Sequence, residues 1–178
     1  MSRFLKNFLL FRAKREKRFR RLLGGGFLFI VICLFQVYGK GNFFIRPIID
    51  LLLIFLVFSF FNSPLSYFAV LLVIRGFIFD TLSGLVWGTN LFSLIFAFGI
   101  GFLLTRLLES DNFLSRIIIG ESIINIYFLT ILISNLLISH SNLWLIILID
   151  AVINSLIYFA LMILEQKIKT HGFKKHFN

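Results

Sequence analysis

Long apolar stretches, separated by short polar or glycine-containing breaks, constrain the fold of this chain more than any other feature. The breaks divide it into six stretches, which we predict as helices at about 22–39, 43–61, 64–82, 86–108, 113–138 and 143–164. About 20 apolar residues are enough for a helix to cross a bilayer. At 59% hydrophobic residues, the chain has more apolar surface than the core of a soluble domain of this size can bury. We therefore predict an all-α integral membrane protein, a six-transmembrane-helix bundle.

The break at Asn62-Ser63-Pro64 is the weakest of the five. Joining its flanks would require one apolar helix of about 40 residues, roughly twice the length that crosses a bilayer. Two helices are therefore predicted here. Because all the connections are short, consecutive helices are predicted to be antiparallel neighbours.

Basic residues gather at the two ends of the chain. The predicted cytoplasmic arm, residues 1–21, carries nine Lys and Arg residues, and the predicted tail, residues 165–178, carries four. A polybasic segment beside a membrane helix is typical of contact with anionic lipid headgroups, which we favour over binding to nucleic acid. The arm can form an interfacial amphipathic helix or stay a disordered tail, and the sequence leaves both open.

Five ionisable residues fall inside the predicted spans when Arg46, Arg106 and Arg116, near the span ends, are counted with the adjoining connections. A charged side chain at the centre of a membrane helix costs roughly 2.5 to 3.5 kcal/mol on insertion scales, so each is predicted to face the bundle interior and to have a partner. For Glu121 the predicted partners are Arg116 and Arg106. The five residues are Asp50, Arg75, Asp80, Glu121 and Asp150.

Arg75 needs a partner on another helix. Asp80 is five residues further on, and this spacing turns the two side chains about 140° apart on a helix. By depth in the membrane, Asp150 is the first predicted partner of Arg75 and Asp50 the second. Asp150, Asn154 and Tyr158 recur every four residues, so they form one polar stripe that is predicted to face protein.

These polar residues admit two interpretations. They can hold helices together by interhelical hydrogen bonds and ion pairs, or they can line a path for a substrate or protons. No dense set of polar residues occurs at one depth, which favours the first interpretation.

No complete catalytic set is found in the sequence. Residues 81–84 come close to the Gly-x-Ser-Gly of rhomboid-type serine proteases, but Thr81 replaces the first Gly, and the nearest extracytoplasmic histidine, His140, lies in a predicted loop. Asp80 and Asp150 could form a carboxylate dyad, although no other motif of such proteases accompanies them. Cys33 is the single cysteine. We predict no enzymatic activity, no cofactor and no metal site.

Asp80 lies one turn before a predicted corner at Ser83 and Gly84. There its carboxylate can accept hydrogen bonds from backbone N–H groups at the start of the next helix, and Gly84 and Gly88 can let that helix begin close to its neighbour. A structural cap is favoured over a ligand site.

Residues 72–91, Leu-Val-Ile-Arg-Gly-Phe-Ile-Phe-Asp-Thr-Leu-Ser-Gly-Leu-Val-Trp-Gly-Thr-Asn-Leu, resemble the core of the bacterial rod shape-determining protein family MreD. The matching positions are Gly76, Asp80, Ser83, Gly84 and Gly88. Upstream, the segment from Pro47 to Leu52 is similar to the Pro-Asp-Leu-Leu that opens the family's second helix, with two extra residues before Asp50.

The resemblance implies a non-enzymatic scaffold of the cell-elongation (rod) complex in the bacterial cytoplasmic membrane. Such a protein binds an MreC-like protein and, indirectly, MreB, RodA and a penicillin-binding transpeptidase, and so couples cytoskeletal filaments to peptidoglycan synthesis and cell shape. The implied fold is similar to the substrate-binding subunits of energy-coupling-factor transporters. That similarity gives the alternative function, a small-molecule-binding component of a transporter.

Both termini are expected in the cytoplasm. In this orientation 15 of the 18 basic residues, including Arg106 and Arg116, face the cytoplasm, whereas Lys40 and Arg46 face outward. Reporter fusions at each terminus, or protease protection of sealed vesicles, should give the cytoplasmic signal at both ends. An extracytoplasmic carboxyl terminus would mean an odd number of crossings and would contradict the six-helix topology.

Overall fold

The structure is a computed structural model that describes residues 24–32, 50–82, 87–108, 112–138 and 144–174. Helices joined by short turns make up all of these residues. This confirms the predicted all-α class for these residues. The basic arm, Cys33, Ser83, Gly84 and residues 175–178 lie outside them. The helices are α1 (24–32), α2 (Leu51–Asn62), α3 (Leu65–Leu82), α4 (Thr89–Leu107), α5 (Phe113–Ile138) and α6 (Trp144–Lys174).

Three helices are long and apolar enough to cross a membrane. They are α4 over Thr89–Leu107, α5 over Phe113–Leu137 and α6 over Trp144–Ile168. Large apolar side chains cover the outside of these helices, where an aqueous solvent would favour polar ones. Leu107 and Leu137, for example, are 79% and 73% exposed. Such a continuous apolar surface is suited to contact with lipid.

The predicted break between the second and third helices is confirmed. Helix α2 ends at Asn62, and Ser63 has an extended backbone with φ −113° and ψ 157°. Pro64 disfavours helical geometry at the residue before it, which explains the end of α2 at this point. The carbonyl of Pro64 then accepts from the N–H of Phe68 at 3.1 Å, in the first turn of α3.

Three predicted boundaries were wrong. Asp50, placed inside a helix from 43, is non-helical and is the N-cap of α2, because its carboxylate accepts a hydrogen bond from the Leu53 N–H. Helix α4 begins at Thr89 and not at 86, after Gly88 with φ 92°. Helix α6 continues from the predicted end at 164 to Lys174, because falling hydropathy marks the edge of an apolar span and not the end of a helix.

Helix α2 is short and lies at the centre of the bundle. Its 12 residues give a length of about 18 Å, well below the roughly 30 Å of a bilayer core. It packs against α3 and α5. In addition, Phe60 contacts Phe98 of α4 and Phe58 contacts Tyr158 of α6, each with ring centroids 5.6 Å apart. A helix that is apolar on all sides is stable only when surrounded in this way.

Two glycines set close contacts between neighbouring helices. A Cβ atom at Gly76 of α3 would lie 2.6 Å from a methyl carbon of Leu91 on α4, and one at Gly120 of α5 would overlap the ring of Tyr158 on α6. Small residues at such crossings bring helix backbones together, which is the main source of packing energy between membrane helices.

Substituting Gly120 by Ala should destabilise the bundle. The Tyr158 ring is fully buried, so a Cβ at Gly120 would have to displace a packed ring, and overpacking of this kind typically costs about 1–3 kcal/mol. Gly99 on the exposed side of α4 is the matched control, because a Cβ there meets nothing within 4 Å, and alanine has the higher helix propensity. Thermal unfolding of the detergent-solubilised protein should show a lower midpoint for Gly120→Ala and an unchanged or higher one for Gly99→Ala. Equal midpoints for the two variants would contradict this packing.

Candidate functional site

Arg75 of α3 is a completely buried cation. Its side chain is 0% exposed and forms an ion pair with the carboxylate of Asp50, whose side chain is 12% exposed. A buried arginine without a counterion would carry a large desolvation penalty, so this pair makes the position tolerable. The predicted first partner, Asp150, was wrong and the second, Asp50, is the one found. The depth argument placed Asp50 on a helix from 43, whereas α2 begins only at Leu51 and brings Asp50 to the level of Arg75.

Asp50 connects three helices. Its carboxylate caps α2 by accepting from the Leu53 N–H at 2.9 Å, and it binds Arg75 of α3. Its own backbone N–H donates to Oδ1 of Asn154 on α6 at 2.8 Å. The partial positive charge at the N-terminus of α2 also favours a carboxylate at this point. One side chain therefore fixes the start of the central helix.

The other side of Arg75 faces Tyr127 of α5. Nη2 of Arg75 donates to the Tyr127 hydroxyl at 3.2 Å, and that hydroxyl donates to Oδ1 of Asn90 on α4 at 3.0 Å. The guanidinium carbon lies 4.6 Å from the ring centroid of Phe79 and 4.8 Å from that of Tyr127. Nε and Nη1 of Arg75 have no hydrogen-bond partner among the described residues, so aromatic faces supply part of the stabilisation of this cation.

Asp80 caps α4 from the end of α3. Its carboxylate accepts from the N–H of Asn90 at 2.7 Å and from that of Leu91 at 3.3 Å, and the residue is 3% exposed. The predicted cap is confirmed. The role predicted for Gly88 was wrong, because a Cβ there would meet nothing within 4 Å. Its φ of 92° requires glycine instead, and the close approach of α3 to α4 occurs at Gly76.

Together these residues form a continuous polar chain through an apolar bundle. It begins on α6, passes through Asp50 at the N-terminus of α2, continues through α3, α5 and α4, and returns to α3. Its members, in order, are Asn154, Asp50, Arg75, Tyr127, Asn90 and Asp80. Tyr127 and Asn90 were missed by sequence reasoning because the search covered only the acidic and basic side chains within the predicted spans. A tyrosine in an apolar helix, and an asparagine in the first turn after a glycine, were the available signals.

The predicted stripe on α6 faces protein. Asn154 and Tyr158 are fully buried and Asp150 is partly buried. The side chain of Asn154 donates to the carbonyl of Asp150 at 2.7 Å. The Tyr158 hydroxyl donates to the carbonyl of Arg116 on α5 at 2.9 Å. The stripe therefore serves two different places and does not converge on one site.

A second set of polar groups faces the outside of the bundle between α5 and α6. We call Glu121, Asn125 and Ser155 the polar seam. The amide of Asn125, which is exposed, donates to the carbonyl of Glu121 at 2.8 Å and contacts the Ser155 hydroxyl at 3.4 Å. The ion pair predicted for Glu121 was wrong, because the carboxylate nearest to Arg116 belongs to Glu165, at 3.8 Å.

The arrangement is suited to holding helices together. In the polar chain, both carboxylates accept hydrogen bonds from the protein itself, and the hydroxyl and amide groups link one helix to the next. Within the described ranges, no group of three His, Cys, Asp or Glu residues is placed to hold a metal ion.

Removing either charge of the Arg75–Asp50 pair should be far more damaging than removing both. Asp50→Asn keeps an oxygen for the Leu53 N–H but leaves Arg75 without a counterion. Arg75→Met leaves the Asp50 carboxylate without its cation. Each loss of one buried partner typically costs about 3–5 kcal/mol, whereas an apolar replacement of the whole pair is close to neutral. The yield of monodisperse protein and its unfolding midpoint in detergent are measured for the unmodified chain, the two single variants and the double variant.

Arg106→Met is the control, since Arg106 is an exposed cation on α4. We expect Arg106→Met to behave like the unmodified chain. The double variant, Asp50→Asn with Arg75→Met, should recover most of the stability that each single variant loses. Two single variants that unfold at the original midpoint would show that the ion pair does not organise the bundle.

Comparisons with known proteins identify no relative of this chain. No family model matches it, and no curated protein and no solved structure does so either.

Proposed function

We propose that this chain is a non-enzymatic, multi-pass scaffold of the bacterial cytoplasmic membrane that acts in the cell-elongation (rod) complex. It binds an MreC-like protein and thereby couples MreB filaments to RodA and a penicillin-binding transpeptidase. The observation that carries the proposal is the corner at Asp80. In the segment that resembles the MreD family, Asp80 caps α4, Gly76 contacts Leu91 and Gly88 has a φ of 92°, so the three matching residues that the structure describes all take part in this corner.

The hydrogen bonds that Asp50 and Asp80 accept support a structural role in the bundle over a role in catalysis or substrate binding. Asp50 accepts from Arg75 and from the Leu53 N–H, and Asp80 accepts from two N–H groups of α4. A carboxylate that binds a substrate or transfers a proton needs an oxygen that faces a cavity and is free to accept a hydrogen bond from the ligand. Carboxylates that are already engaged by the protein fit a structural role better.

The polar seam is the surface on which we place the MreC-like partner. Asn125 lies near the middle of the 26-residue α5 and is exposed, so in a bilayer it faces the hydrocarbon core. A polar group in this position favours association with another helix that offers a hydrogen-bonding side chain. A bitopic partner crosses the membrane once and so passes this depth, which makes its transmembrane helix the occupant that fits.

Replacing Asn125 by Leu should weaken recovery of the MreC-like partner without unfolding the protein. Interhelical hydrogen bonds in membranes are worth about 0.6 to 2 kcal/mol, so recovery should fall roughly three- to thirtyfold. Affinity purification from native membranes followed by quantitative identification of co-purified proteins measures this. The control is Thr81→Val on α3, which removes an exposed hydroxyl whose hydrogen bond among the described residues lies within its own helix, to the Phe77 carbonyl.

Two results would overturn different parts of this proposal. Full recovery of the partner with Asn125→Leu would move the contact away from the polar seam while leaving the scaffold function intact. Absence of any MreC-like protein, combined with a stoichiometric small molecule retained through purification, would favour the transporter component instead.

A further inference from the structure

A cleft opens at the end of the bundle opposite to the Asp80 corner, where α2 ends and α3 and α5 begin. Its volume is about 430 Å³, within the size range of small-molecule sites. Polar groups come from Asn62, Ser63, Thr105 and Arg116, and aromatic rings such as Phe68 and Phe102 form much of the remaining wall. We call it the basic cleft.

Arg116 is held loosely for an arginine that is only 13% exposed. Its Nη2 lies 3.4 Å from the Asn62 oxygen and its Nη1 lies 3.8 Å from the Glu165 carboxylate. Well-formed charge-assisted hydrogen bonds of arginine are about 2.7–2.9 Å long. Nε is buried and has no hydrogen-bond partner among the described residues. The Nε–Nη2 edge of the guanidinium therefore has unused donor capacity, and it is one of the edges through which arginine binds a phosphate in a fork.

Two further charged groups act on a ligand at Arg116. The Glu165 carboxylate lies on the Nη1 side and repels an anion there, which leaves the opposite edge as the favourable approach. Arg106 follows Thr105 on α4, and its guanidinium carbon lies 5.0 Å from the ring centroid of Phe102. A second cation therefore stands beside the wall of the cleft.

We propose that the basic cleft binds an anionic phospholipid, with the phosphate at Arg116 and an acyl chain along the phenylalanine wall. The ligand must satisfy a cation and the aromatic wall beside it, where the Arg116 guanidinium carbon lies 5.1 Å from the ring centroid of Phe61. Inorganic phosphate matches only the first requirement and a neutral lipid only the second. The inference does not rest on the rod-complex proposal, because it uses only the chemistry of this cleft and the apolar exterior around it.

Native mass spectrometry of the delipidated protein in detergent tests the proposal. The probes are phosphatidylglycerol and phosphatidylcholine with identical acyl chains, and inorganic phosphate in a separate titration. We expect phosphatidylglycerol to bind with an affinity about fivefold higher than phosphatidylcholine, since one basic contact near a lipid surface is worth about 1 kcal/mol. Arg116→Gln should remove the preference.

Thr105→Phe is the second variant, because it fills the cleft without changing its charge. It should lower binding of phosphatidylglycerol to the level of the Arg116→Gln variant, and it carries the test if Arg116→Gln does not fold. A chain with Lys14, Arg15, Lys17 and Arg18 replaced by Gln is the control for the amino-terminal arm and should keep the preference.

Three outcomes would overturn the proposal. Equal binding of the two lipids would exclude recognition of the headgroup charge. Loss of the preference in the arm variant alone would assign the lipid to the arm. Binding of inorganic phosphate that Arg116→Gln abolishes, without preference for either lipid, would make this a site for a soluble anion.

Discussion

The ion pair between Arg75 and Asp50 sets the condition that the rest of the structure has to meet. A guanidinium with no exposed surface can remain charged only where a carboxylate and aromatic rings replace its water. Asp50 provides this carboxylate, and it does so as the residue that starts α2. The position of the central helix, and with it the packing of α3 and α5 against that helix, therefore follows from where this charge is neutralised.

Sequence reasoning reached the parts of this arrangement that depend on local pattern. The all-α class and the break at Ser63 and Pro64 follow from hydropathy and turn chemistry. The Asp80 cap follows from an acid one turn before a corner. The start of α2 was missed because the span was drawn from overall hydropathy. Arg46 and Pro47 interrupt the apolar run ahead of it, and Asp50, of a residue type favoured as an N-cap, stands directly before the apolar residues from Leu51, so a signal was available. Tyr127 was missed because its role depends on α3, α4 and α5 meeting at one point.

The two ends of the bundle differ in chemical character. In the polar chain both carboxylates are engaged by donors of the protein itself, whereas Arg116 lines the basic cleft. Both arginines have nitrogen atoms without a hydrogen-bond partner among the described residues, so the two places differ in the open cleft beside Arg116 and not in unsatisfied donors. The polar seam between α5 and α6 is separate from both and faces outward. This division suits the proposed scaffold, in which a fixed interior presents surfaces to a partner helix and to lipid.

Asp50 and Arg75 hold α2 in a dry interior. Hydrogen–deuterium exchange of the protein in lipid nanodiscs, followed on peptides covering Leu51–Asn62, measures whether water is excluded there. An isolated helix of this length is marginal in water, so any protection of its amides must come from its surroundings. The amides of Leu53 to Val57 should exchange far more slowly than those at the carboxyl-terminal end of α6. If the amides of α2 exchange as fast as those at the carboxyl-terminal end of α6, water reaches the central helix, and the ion pair does not hold that helix in a dry interior.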